Sequence, residues 1–167
     1  MQIHKIVVGA LETNCYIVVN DSECVVIDPG DEAEKIIEFI EEKNLKPTKI
    51  LLTHKHFDHV GALEEIKKFT TSQVVNQVVN NVGFLETIKT PGHTQDSVCF
   101  VNEKEGVIFT GDTLFEQGIG RTDLEGGDYN EIQKSLKRLM EFPDDFRIYP
   151  GHGPDSTIGE EKPHLHF

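Results

Sequence analysis
Seven side chains able to ligate a metal ion, five His and two Asp, fall in four short segments of this 167-residue chain. The densest segment is Thr53-His54-Lys55-His56-Phe57-Asp58-His59, an H-x-H-x-D-H pattern between an apolar run and a helix-like one. Alternate positions of an extended segment face the same way, so His54 and His56 can reach one ion while Asp58 and His59, expected in a turn, reach another. Single imidazoles arrive from Pro91-Gly92-His93-Thr94 and Pro150-Gly151-His152-Gly153, and a lone carboxylate from Thr110-Gly111-Asp112-Thr113. A carboxylate has two oxygens, so Asp112 can bridge ions about 3.5–4 Å apart, the spacing of two-metal hydrolase sites. The imidazoles of His54, His56 and His59 would repel one another if protonated and have no evident packing use. His4 lies in an early strand and reads as structural, and His164 and His166 read as tail residues.

These loops need rigid elements beneath them. Three β-branched runs at about 2–8, 14–19 and 23–28 predict a meander that Asp28-Pro29-Gly30 ends. Ile36, Ile37, Phe39 and Ile40 among acids and lysines predict an amphipathic helix near 31–43. Lys49-Ile50-Leu51-Leu52 reads as a short buried strand, and a second helix is expected near 60–69. Further strands are expected at 84–90, 96–102 and 106–110, then a helix near 128–140 and a last strand, Phe146-Arg147-Ile148-Tyr149. Residues 70–82 place valines every four positions, yet Val and Asn are poor helix formers, and this stretch receives no assignment. Strands alternating with helices imply a layered α/β domain, a single one over residues 1–167 with an atypical connection near 70–83.

Sixteen Lys plus Arg against 29 Asp plus Glu give a net charge of −13, which would repel a phosphate backbone, so nucleic acid is a poor partner. No apolar stretch approaches the ~20 residues of a membrane-spanning helix. The N-terminal segment reads as a strand and not as a signal peptide, which places the protein in the cytoplasm. Three cysteines without a C-x-x-C pair, each in an apolar run, predict buried reduced thiols.

The segments Thr13-Asn14-Cys15-Tyr16, Ile27-Asp28-Pro29-Gly30, the T-H-x-H-x-D-H cluster, Thr90-Pro91-Gly92-His93-Thr94, Gly111-Asp112-Thr113-Leu114-Phe115, Gly120-Arg121-Thr122-Asp123 and Gly151-His152-Gly153-Pro154 together resemble the metallo-β-lactamase superfamily. Within it they resemble the single-domain hydroxyacylglutathione hydrolase (glyoxalase II)-like branch. The resemblance implies an α/β fold of four layers, an αββα sandwich with metals at one edge. It implies that His54, His56 and His93 hold a first metal, Asp58, His59 and His152 a second, and that Asp112 bridges. Two divalent ions are expected, Zn first, with Fe or Mn also suited to His and carboxylate. His56 stands where the flavodiiron branch has Glu, and Asp112 where zinc β-lactamases have Cys.

The implied activity is hydrolysis of a small glutathione thioester such as S-lactoylglutathione by a hydroxide shared between the metals, available near neutral pH because the ions acidify water. Asp58, which accepts and does not donate, would be the catalytic residue that orients it. Arg121 either meets a substrate carboxylate or, as its Gly-Arg-Thr-Asp turn favours, pairs with Asp123. The alternatives are a persulfide dioxygenase using a single iron, and a metal-binding scaffold with little activity.

The chain departs from the branch in four places. Its resemblance to glyoxalase II proper covers only the catalytic domain, with no counterpart expected for the C-terminal helical domain, and only about twenty residues join Phe69 to the strand before Pro91. Thr94-Gln95-Asp96-Ser97 replaces the usual Thr-Pro-Gly-Ser, and Pro163-His164 follows Glu161-Lys162 in place of Asn-Pro. These changes fit an unusual natural member or an engineered, lid-truncated chain.

Overall fold
The runs at 14–19 and 23–27 are buried at nearly every position, the pattern of strands covered on both faces, whereas the first run alternates buried Ile6 and Val8 with exposed Lys5 and Val7. In the computed structural model, which describes residues 1–21, 23–75 and 83–165, the chain divides into two compact units, Met1–Asn76 and Gln77–Phe167. The first unit is a five-stranded sheet in the order β1 (Gln2–Val8), β2 (Thr13–Asn20), β3 (Glu23–Ile27), β4 (Lys49–Leu51), β5 (Gln73–Val75). β1, β2 and β3 form the expected antiparallel meander, and β4 and β5 extend it in parallel. Helices α1 (Ala33–Glu42), α2 (Phe57–Val60) and α3 (Leu63–Thr70) complete the unit. Ile36, Ile40 and Ile66 from the helices share one core with Ile6, Val8, Ile17, Val26 and Ile50. Tyr16, Val18, Val25, Ile27 and Leu51, on the opposite face, are buried as well.

The second unit is a sheet in the order β12 (Ser156–Thr157), β11 (Arg147–Pro150), β8 (Val107–Gly111), β7 (Val98–Asn102), β6 (Glu86–Lys89). Helix α4 (Tyr129–Leu139) lays Ile132, Leu136 and Leu139 against Cys99, Val101, Ile108 and Ile148. The Asp128 carboxylate caps its start, accepting from the amides of Asn130 and Glu131. The mixed α/β class is the one the sequence predicts.

Three details correct the sequence reading. The helix expected near 60–69 starts earlier, as α2, and breaks before α3, because the amide of Ala62 bonds to Pro29 O at 3.0 Å and leaves the helical ladder. Asp58 and His59 therefore lie on the single turn of α2, not in an open turn. The strand at 147–150 is not the last: β12 and a short helix, α5 (Ile158–Glu161), follow it, and a small hairpin of β9 (Leu114–Phe115) and β10 (Gly118–Ile119) follows β8. Of the unassigned stretch 70–82, residues 73–75 are strand β5, and 76–82 lie outside the described residues, as does His166. His4 tilts against the ring of Phe39, a packing role.

All three cysteines are buried and reduced. Burial pushes Cys24 and Cys99 up to about 11 and raises Cys15 further in the same direction. At pH 8 only about one thiol in a thousand is then thiolate, the reactive form. Titration with a disulfide reagent is expected to find no fast thiol in the native protein and all three after denaturation.

Candidate metal centre
Strand direction places the candidate ligands. In the first unit β3 and β4 run parallel and β2 antiparallel to them, so the end of β3, the end of β4 and the start of β2 share one edge. Asp28, His54 and Thr13 follow or open those strands. Asp28 is buried and gathers three donors: the amide of Thr53 at 2.8 Å, the Thr53 hydroxyl at 2.6 Å and His59 Nδ1 at 3.0 Å. The Thr53 hydroxyl spends its proton on Asp28, so it accepts from His54 Nδ1 at 3.1 Å. These bonds fix both tautomers, leaving Nε2 of His54 and of His59 as the lone-pair atoms. Nε2 of His54 lies 3.1 Å from His56 Nδ1, and Nε2 of His59 lies 3.5 Å from Asp58 Oδ2. Thr13 Oγ1 donates to the same Asp58 oxygen at 3.2 Å.

The approach of these loops depends on Gly30. A Cβ there would stand 1.8 Å from the carbonyl oxygen of Asp58, which no side-chain rotation can relieve.

In the second unit β6 and β8 both run antiparallel to β7, and β11 runs parallel to β8, so β6, β8 and β11 point the same way. His93, Asp112 and His152 each follow one of those three strands. The amide of Gly151 bonds to Gly111 O at 2.9 Å and ties the His152 loop to the Asp112 loop. His93 Nδ1 donates to the carbonyl of Arg121 at 2.8 Å, which leaves its Nε2 as the lone-pair atom. Nε2 of His93 and Nε2 of His152 each lie 3.6 Å from the same oxygen, Asp112 Oδ2. Behind His93, Asp96 accepts from the Thr94 hydroxyl at 2.9 Å, so the unusual Gln95-Asp96 pair closes the turn it occupies. The buried Glu161 accepts from the amide of Gln117 at 2.6 Å and from the Ser156 hydroxyl, which anchors the hairpin that follows Asp112.

These contacts test whether the residues fit a metal. Lone-pair nitrogen facing carboxylate oxygen is repulsive unless a cation or proton lies between them. Separations of 3.5–3.6 Å are close to the ~3.4 Å edge of a tetrahedron with ligands about 2.1 Å from an ion. The donor set of imidazole and carboxylate suits a divalent metal. The first unit thus brings together His54, His56, Asp58 and His59, and the second His93, Asp112 and His152.

Residues 8–75 and 70–152 match the family model for the metallo-beta-lactamase superfamily. The chain belongs to that superfamily. It is 35% identical to hydroxyacylglutathione hydrolase GloC of Haemophilus influenzae, over 97% of this chain and 95% of that one. It is 32% identical, with the same coverage of both chains, to the probable metallo-hydrolase YqgX of Bacillus subtilis. Among solved structures, the B3 metallo-beta-lactamase BLEG-1 superposes with a TM-score of 0.92 at 33% identity, covering 98% of this chain and 97% of that one. TTHA1623 in a di-iron-bound form gives a TM-score of 0.90 at 31% identity, covering 95% and 96%. The protein is therefore a metal-dependent hydrolase of the metallo-beta-lactamase superfamily with the superfamily's fold.

Arg121 forks onto Asp123 with bonds of 2.8 and 2.7 Å, the internal pairing that its turn favours. That pair holds the Asp123 carboxyl at about 2, below its ordinary value. The main-chain carbonyl of Arg121 orients His93, a role that sequence reading missed. Also missed were the anchoring bonds of Asp28, Thr13 and Thr53, although an acid ending a buried apolar strand at Ile27-Asp28-Pro29 was a usable signal.

Gly120 carries the second unit's close approach. A Cβ there would sit 1.8 Å from Asp112 O and 3.1 Å from His93 Cβ. Gly120→Ala is expected to cost about 2–4 kcal/mol, as overpacking against backbone does, lowering the melting temperature by roughly 5–15 °C. A thermal melt checks this, and an unchanged midpoint would contradict the packing described.

Proposed function
We propose that this protein is a dinuclear thioesterase of the glyoxalase II-like branch that hydrolyses glutathione thioesters such as S-lactoylglutathione in the cytoplasm. The observation that carries the reading is Asp112 Oδ2, approached at 3.6 Å by the Nε2 atoms of both His93 and His152, a carboxylate poised to be shared. The likeness to GloC over nearly the whole chain supports the substrate class.

In this reading His54, His56 and His93 would hold one ion and Asp58, His59 and His152 the other, with Asp112 as the carboxylate available to both. Zinc is the first choice of metal, with iron or manganese compatible with the same donors. The bound ions supply acidified water as a nucleophile near neutral pH. Asp28 and the Arg121 carbonyl keep His59 and His93 in the ligating tautomer, so no proton must be moved before a metal binds. Asp58, held by the Thr13 hydroxyl through Oδ2, uses Oδ1 to accept from the attacking water and orient it. Water adds to the carbonyl carbon, the C–S bond breaks, and the thiolate leaves readily because it is a weak base. The partner is a small molecule: no helix among the described residues is long and apolar enough to cross a membrane, and the net charge of −13 opposes nucleic acid.

Thiol release from S-lactoylglutathione, measured beside oxygen uptake with glutathione persulfide in the iron-loaded protein, tests the proposal. Thioester turnover without oxygen uptake is expected. Oxygen uptake without thiol release assigns the dioxygenase instead, and bound metal with neither activity assigns a scaffold.

A further inference from the structure
The strands that deliver His93 and Asp112 are not neighbours. β7 lies between β6 and β8, so two strand spacings, about 9–10 Å, separate the lines along which the two ligand loops leave the sheet. The loops nevertheless bring His93 Nε2 to 3.6 Å from Asp112 Oδ2. Beneath them a chain of buried side chains crosses β7. The Cys99 thiol, on β7, donates to the carbonyl of Thr110 on β8 at 3.6 Å. Its single proton is spent there, so in the 3.4 Å contact between Cys99 Sγ and Thr90 Oγ1 the Thr90 hydroxyl is the donor. Thr90 Oγ1 in turn accepts from the Thr113 hydroxyl at 3.1 Å. All four residues are at most 1% exposed. Thr90 stands three positions before His93, and Thr113 directly follows Asp112.

The sheet does not need this chain. The ladders of β6 with β7 and of β7 with β8 already fix the three strands. Apolar side chains would fill the same space without the cost of burying hydroxyls. What the Thr113–Thr90 bond adds is a direct tie between two loops that no ladder among the described residues joins. The tie also opposes a push, since the His93 Nε2 lone pair and the Asp112 carboxylate repel when no cation lies between them.

We propose that Thr113, Thr90 and Cys99 are positioning residues of the metal centre, whose hydroxyl–thiol chain clamps the His93 and Asp112 loops together across β7. The inference rests on the reading of His93 and Asp112 as ligands. Imidazole and carboxylate then stand at ion-binding separation in the metal-free protein, and an arriving ion does not have to order the loops.

Thr113→Val and Thr113→Ser test the clamp, with zinc affinity read by competition against a chelator. Thr113→Val keeps the shape, removes the donated proton and strands no buried donor, so it should fold and bind zinc about three- to tenfold more weakly. Thr113→Ser loses a methyl but keeps the hydroxyl and should stay within about twofold of wild type. A purely packing role gives the reverse order, and that order would overturn the proposal. Thr90→Val breaks both bonds and is expected to cost about tenfold or more, and adding Thr113→Val should cost little further because their shared bond is already gone. Independent, additive losses would count against the clamp. The metal-free protein supplies a separate readout in the S–H stretching band of Cys99, assigned by its loss in Cys99→Ala. Thr90→Val should shift that band, because sulfur loses its donor, and an unshifted band would overturn the chain. Unchanged zinc affinity in both Val variants would overturn the clamp and leave the thioesterase reading standing. Weakened zinc binding in Thr113→Val with rescue in Thr113→Ser, but no thiol release from S-lactoylglutathione by the zinc-loaded wild type, would support the clamp and sink the thioesterase reading.

Discussion
Replacing Asp112 with alanine lowers metal retention and thioester turnover together, each by more than about a hundredfold, while the melting temperature of the metal-free protein stays within a few degrees of wild type. Loss of a group that merely supports a ligand costs about 10–100-fold in affinity, and Asp112 is itself a donor whose single oxygen faces two imidazoles. The fold should tolerate the change, because in the absence of metal it removes an oxygen that the His93 Nε2 lone pair faces at 3.6 Å. Asp112→Asn sharpens the test. It preserves shape but presents one neutral oxygen, so it is expected to fall between alanine and wild type in metal retention. Elemental analysis after dialysis and a thiol-release assay check both variants, and full metal content with full activity in Asp112→Ala would remove the basis of the proposed centre.

Replacing Asp28 with alanine is expected to damage both stability and metal binding, although Asp28 is not in the proposed ligand set. Its carboxylate satisfies the Thr53 amide, the Thr53 hydroxyl and His59 Nδ1, all in buried surroundings. Each buried donor left without an acceptor costs about 1–3 kcal/mol, so the variant should lose roughly 3 kcal/mol or more and melt at least about 6 °C lower. Asp28→Asn separates the two effects. It keeps the volume and one acceptor, but an amide nitrogen opposite His59 Nδ1 would drive the ring proton to Nε2, the atom that faces Asp58 Oδ2. The expected result is a nearly normal melting temperature with metal affinity about 10–100-fold weaker, read by competition against a chelator. Unchanged affinity in a folded Asp28→Asn would show that the His59 tautomer does not depend on this carboxylate.

The parts of this account legible in the sequence are those that short-range chemistry dictates. The meander, α1, α4 and their apolar faces follow from periodicity and turn residues. The ligand cluster stood out because three imidazoles within six residues have no packing use. The break between α2 and α3 was not legible, because it is made by a backbone carbonyl of Pro29 that is remote in sequence. The anchoring role of Asp28 depends on partners 25 and 31 positions away, brought close by parallel pairing of β3 and β4. Glu161 was visible only as half of the Glu161-Lys162 pair, and its role as a buried anchor was not legible, since a β12 of only two residues carries too little periodicity to announce itself. Gly30 and Gly120 were visible as residues of motifs, but the reason they must be glycine is a carbonyl at 1.8 Å that only the fold brings there.

The most direct test of the dinuclear thioesterase is to count the metal ions bound per chain and to measure S-lactoylglutathione hydrolysis on the same preparation as metal is added back stepwise to the apoprotein. The account predicts saturation at two ions per chain, with turnover that rises to completion only as the second is bound. Saturation at one ion, or full occupancy by two without thiol release, would contradict it.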